Sequence, residues 1–144
     1  MIGYLESIHL FCTVYMFAVV VFVHFIQYPM LKNVPEIARA QYNKKYCDRA
    51  GFVIAPAMVM EAFSAVLLTY LFPILIYYLG LFLVGVLWIV TFFYSVPAHT
   101  KLCENWDLKA HNKLMFSNFI RLLAWGIRCL LSVSYTHLTL PTKA

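Results

Sequence analysis

The stretch GFVIAPAMVMEAFSAVLLTYLFPILIYYLGLFLVGVLWIVTFFYSV, residues 51–96, decides the fold. It carries a single charge, Glu61, and has no polar face of the kind that a helix at a water-facing surface shows. At 1.5 Å per residue it is far too long for one crossing of a hydrocarbon layer ~30 Å thick. Pro73, near its middle, cannot continue a helix and marks a tight hairpin. The stretch therefore reads as two membrane spans, residues 51–71 and 74–96.

Two more apolar runs flank it, at residues 7–29 and 114–133, and the fold class that follows is an all-α, antiparallel four-helix transmembrane bundle. Composition agrees: 63% of the chain is hydrophobic and 12% charged, against about half and a quarter in soluble domains. The 144 residues suffice for one such bundle and no separate globular domain. The first run is longer than a signal-peptide core and is preceded by Glu6 alone, so a retained helix is expected. Residues 132–144 break the apolar pattern and read as a non-native tail translated from a sequencing adapter, with the natural C-terminus then missing.

Basic residues orient the bundle. The first loop holds Lys32, Arg39, Lys44, Lys45 and Arg49, and the third holds Lys101, Lys109 and Lys113; the N-terminal end and the second loop hold none. The positive-inside rule places loops one and three in the cytoplasm and both termini outside, in the inner (cytoplasmic) membrane. Pro35 followed by Glu36–Tyr46 reads as a short interfacial helix within loop one, and Trp106 as an interfacial anchor in loop three. Spans one and three both close on a proline, Pro29 and Pro97, followed by a basic loop and a span with internal charge. A two-fold repeat of helix pairs is one reading; any alternating four-span chain offers the same pattern.

Ionisable residues within spans are costly and mark places of interest. Glu61 lies ~15 Å into its span, with Arg121 and Arg128 roughly 10 and 20 Å into the fourth. Glu61 thus falls between the two arginines in depth, and an ion pair across the bundle is expected. His111, Asn118, Arg121, Trp125 and Arg128 share one helical face, opposite Phe119, Ile120, Leu123, Ile127 and Leu130. His9, Thr13, Met16, Val20, His24 and Gln27 form a weaker stripe on the first span, and Trp88, Thr91, Ser95 and His99 one on the third. Two arginines against one carboxylate leave a positive excess, which invites a small amphipathic or anionic ligand. The plain alternative is a structural or assembly subunit whose charges only pin helix register.

Other chemistry is less well supported. Haem would need two histidines at one depth, and His24 with His99 is the nearest arrangement. A quinone could be gripped by Arg121, Arg128, Asn118 and His24 beside Trp125 and Trp88. Such a haem- or quinone-linked oxidoreductase is a third reading. A proton-coupled transporter would use Glu61 and would need a homodimer or larger membrane complex. Cys12, Cys47, Cys103 and Cys129 form no CxxC pair, no metal-ligand cluster, phosphate loop or nucleophile–base pair is evident, and the basic residues serve topology rather than nucleic acid. A non-enzymatic role is the favoured expectation.

Tyr28-Pro29, Pro56 with Met58 and Glu61, Pro97-x-His99 and His111…Asn118-x-x-Arg121…Trp125-x-x-Arg128 together give the chain a resemblance. It resembles, over most of residues 7–131, a group of small bacterial four-span membrane proteins with no established activity. That group tends to have histidine directly before the Tyr-Pro pair; this chain has Gln27 there and His24 one turn earlier. The resemblance implies the same polar residues and no particular reaction.

Overall fold

The computed structural model describes residues 2–139, with side chains described over 3–134. Four long helices fill it. Helix α1 runs over Ile2–Phe22, through a π-helical turn at Val23–Gln27, into Tyr28–Leu31. Helix α2 is Glu36–Leu71. Helix α3 runs over Leu75–Val90, through a second π-helical turn at Thr91–Ser95, into Val96–Glu104. Helix α4 is Leu108–Thr139. All four are long and apolar enough to cross a membrane. Each packs on its neighbours in sequence and α4 closes onto α1, an up-down-up-down bundle.

The burial pattern is that of a protein solvated by lipid. Phe11, Phe22, Phe63, Phe82, Phe116 and Leu130 stand on the outside, while His9, Thr13, Glu61, Ser64, Asn118, Arg121 and Arg128 are buried between the helices. The expected faces of α4 are found, with His111, Asn118, Arg121, Trp125 and Arg128 buried and Phe119, Leu123, Ile127 and Leu130 exposed. Pro73 lies in the three-residue break between α2 and α3, as its chemistry requires.

Three expectations need correction. The segment Glu36–Tyr46 is no separate interfacial helix: it is the start of α2, which continues unbroken into the second span. Pro35, extended at ψ 138°, sets the helix start, and no proline intervenes before Pro56. At about 54 Å, α2 overruns the hydrocarbon layer by several turns, and that overhang carries the basic residues. Loop three likewise shrinks to residues 105–107, where the Asp107 carboxylate accepts the Lys109 N–H at 2.8 Å and so caps α4. The hydrogen bond from Lys101, with its charge, holds the Asp107 carboxyl below the usual range. Finally, Pro29 and Pro97 do not end their spans, since helix continues to Leu31 and Glu104. The expected non-native tail, residues 132–144, falls partly within the described residues: α4 runs on to Thr139, and residues 140–144 lie outside them.

The two π turns explain how helix passes the prolines, and what it gains. In each, one extra residue widens the turn: Tyr28 N–H reaches the Val23 carbonyl and Val96 N–H reaches that of Thr91. The wide turn stands just before a proline, whose ring would otherwise press on the preceding turn. It also shifts the buried face. In α1 the buried positions step through 9, 12, 13, 16, 20 and 23 and then jump to 28 and 31. In α3 they step through 84, 87 and 90 and jump to 95, 98 and 102. Regular α-helix would have turned Gln27 and Tyr94 inward; the π turns bring Tyr28 and Ser95 instead. The same device stands just before the proline in α1 and in α3.

The water-to-lipid boundary on α2 is testable by thiol labelling, with the four native cysteines replaced. Ile37 and Phe63 are both exposed on the isolated bundle, at 97% and 65%. A membrane-impermeant maleimide applied to both sides of the membrane is expected to modify Ile37→Cys rapidly and leave Phe63→Cys unmodified.

Candidate functional site

The buried polar residues form two centres, separated by Trp125. The first lies in the half of the bundle that holds the α2–α3 hairpin. Arg128 of α4 pairs with Glu61 of α2 at 3.0 Å, both essentially without exposed surface. The Trp125 indole N–H lies 3.1 and 2.9 Å from the two Glu61 oxygens. Arg128 also donates to the Gly80 carbonyl of α3 and, at 3.4 Å, to Nε2 of His9 on α1. Nδ1 of His9 then meets the Ser64 hydroxyl at 2.8 Å, and that hydroxyl donates to the Glu61 carbonyl at 3.0 Å. One tautomer satisfies the chain: a neutral His9, accepting from Arg128 at Nε2 and donating to Ser64 from Nδ1. The cluster joins all four helices and its charges cancel. The space beside it is about 30 Å³, room for little more than a water molecule.

The second centre lies toward the basic end. Arg121 is 6% exposed, one helical turn before Trp125, with its guanidinium 5.3 Å from the indole centroid. It interacts with the Tyr28 hydroxyl. Its Nε has no hydrogen-bond partner, and no carboxylate among the described residues forms an ion pair with it. Arg121 forms part of the wall of a cavity of about 430 Å³ bounded by α1, α2, α3 and α4. The wall is mostly apolar, with Tyr28, Ser95, His99, Asn118 and Arg121 as its main polar members. Asn118 donates to the Val20 carbonyl at 3.4 Å, and its own Oδ1 is unpartnered.

The π turns supply this cavity with Tyr28 and His99. The Tyr28 hydroxyl lies 3.0 Å from His99 Nε2. His99 Nδ1 faces Cys47 Sγ at 3.2 Å and Asn43 Oδ1 at 3.3 Å. Asn43 in turn donates to Cys103 Sγ at 3.2 Å and to the His99 carbonyl at 3.3 Å. Below them, His111 Nε2 donates to the Tyr28 carbonyl at 3.0 Å.

Set beside the sequence expectations, Glu61, Trp125 and Arg128 come together, and Asn118, His99 and Arg121 share the cavity wall. The expected ion pair across the bundle is that of Glu61 with Arg128 and does not include Arg121: Trp125 stands between Glu61 and Arg121, giving its N–H edge to one and its face to the other. His24 and Gln27 do not line the cavity. His24 packs its ring against Phe25 and Phe119, and Gln27, turned aside by the π turn, donates to the Tyr42 hydroxyl. The His24–His99 arrangement for haem thus has no shared space. His111 is buried, with its ring beside Trp106. Sequence reasoning missed His9 as a partner of Arg128, although the stripe from His9 through Thr13 to Val20 pointed inward. It also missed Asn43 and Cys47, which lie in the stretch read as loop one.

The two arginines are expected to respond oppositely to neutralisation. Glu61→Gln or Arg128→Gln leaves an uncompensated buried charge and should cost about 3–5 kcal/mol in thermal or denaturant unfolding in detergent, with Glu61→Gln/Arg128→Met recovering part of it. Arg121→Gln removes a charge that has no carboxylate, so it should cost less than about 1 kcal/mol or stabilise.

Comparisons with protein-family models, with curated proteins and with solved structures return no match for this chain.

Proposed function

We propose that this chain is a multi-pass membrane protein that binds a small amphipathic anion in the cavity at Arg121. The observation that carries the reading is a buried guanidinium with no carboxylate partner in the wall of a 430 Å³ apolar cavity. An unpaired cation within a membrane is costly, and a ligand carboxylate or phosphate would offset that cost with charge-assisted hydrogen bonds. Tyr28 and Asn118 stand ready to orient the head, and the apolar remainder of the wall suits a hydrocarbon body. The cavity's size lies in the range that small-molecule sites occupy. With its basic loops cytoplasmic, the head of the ligand sits toward the cytoplasmic side.

For the other centre we propose the structural reading. Glu61, Arg128, Trp125, His9 and Ser64 bond to one another, with the Arg128 Nε alone left unpartnered among these groups, their charges cancel, and they leave almost no space, which supports a role in fixing helix register. Binding is therefore assigned to Arg121 and register to Arg128, within one protein.

The test is mass spectrometry of lipid extracts from detergent-purified protein. Wild type is expected to carry an acidic amphiphile in near-stoichiometric amount. Arg121→Gln should lose it while keeping its fold, and Lys113→Gln, at the surface, should keep it. Protein that carries no extractable anion, or one retained by Arg121→Gln, overturns the reading; a co-purifying quinone would favour the redox alternative.

A further inference from the structure

The exposed part of the cavity's wall lies between α2 and α3, on the outer face of the bundle. Gly51, Ala55 and Val59 form its rim on α2, and Phe92, Val96 and Thr100 form its rim on α3, all of them exposed on the outer surface of the bundle. Helix α2 packs on Leu75–Val90 and on Val96–Glu104 of α3, whereas the π turn Thr91–Ser95 between them packs on α4 and is left largely uncovered by α2. The wide turn in α3 thus coincides with a gap between α2 and α3. On the α2 side the gap is bordered by the small residues Gly51 and Ala55, and a Cβ added at Gly51 would meet no atom within 4 Å, so there is open space there.

The polarity of the cavity is ordered along the bundle. Toward the basic end are His99, Tyr28, Ser95 and Arg121; toward the bundle centre are Ile54, Met58, Val20 and Trp88. A lipid of the leaflet on the basic side has that same order, polar head outward and chain toward the bilayer midplane. A freely water-soluble anion would gain nothing from the apolar half, and would have to cross it or the packed basic end to arrive.

Resting on the Arg121 reading above, we infer that the occupant is a single-chain fatty acid dissolved in that leaflet, and that it enters sideways through the α2–α3 gap. Its carboxylate meets Arg121 and its chain lies along Ile54, Met58 and Trp88. The positive charge of Arg121 selects an ionised acid over a neutral ester of the same chain, and the volume favours one chain over two.

The inference is tested by fluorescence quenching in phosphatidylcholine vesicles. Trp106→Phe removes the loop tryptophan and leaves Trp88, in the cavity wall, and Trp125. A long-chain brominated fatty acid is expected to quench saturably. Its methyl ester, the Arg121→Gln variant and the mouth-filling variants Gly51→Phe and Ala55→Phe should each weaken binding about tenfold or more. If brominated butyrate binds in an Arg121-dependent way and the long-chain acid does not saturate, the anion site stands and the fatty-acid occupant falls. If the long-chain acid binds and filling the mouth changes nothing, sideways entry falls. Absence of saturable quenching by either acid overturns both this inference and the reading on which it rests.

Discussion

The contact between Glu61, Arg128 and Trp125 organises the bundle. In a bilayer the hydrophobic effect does not distinguish helix from lipid, so packing and polar contacts must specify which faces meet. A carboxylate on α2 and a guanidinium on α4 can be tolerated at this depth only if each finds the other. Once they do, α1 is drawn in through His9 and α3 through the Gly80 carbonyl. The indole fixes the carboxylate with its N–H and so cannot swing away from Arg121, against which its face rests.

That arrangement divides the labour between two arginines seven residues apart on one helix face. Arg128 is neutralised and enclosed, while Arg121 is held one turn of helix from Trp125 with its charge uncompensated, beside open space. Their difference cannot come from residue type or burial, which they share. It comes from the position of the single carboxylate and from the tryptophan that screens it. The two π turns complete the cavity by rotating Tyr28 inward in α1 and by bringing Ser95 and His99 to its wall in α3.

Much was legible in order along the chain. The apolar runs, the hairpin at Pro73 and the inward stripe on α4 are local properties: hydropathy and a fixed 100° rotation per residue carry them. Where helix departs from that rotation, the reading failed. Gln27 was placed on the inner face because regular α-helix would put it there, and the π turn gives that place to Tyr28. Helix boundaries failed for a related reason. Pro29 and Pro97 look like stops, yet a widened turn lets the helix run on, and the charged start of α2 remains helical because nothing in it breaks a helix.

The sequence by itself determined that this chain is a bundle of membrane-crossing helices, and which face of α4 must turn inward, because lipid penalises polar side chains regardless of their partners. Only the tertiary structure decided who pairs with whom. Glu61 was within reach of either arginine by depth alone, since depth is one coordinate and pairing needs three. The choice of Arg128, and with it the uncompensated charge at Arg121 and the cavity beside it, follows from how the four helices are rotated about their axes.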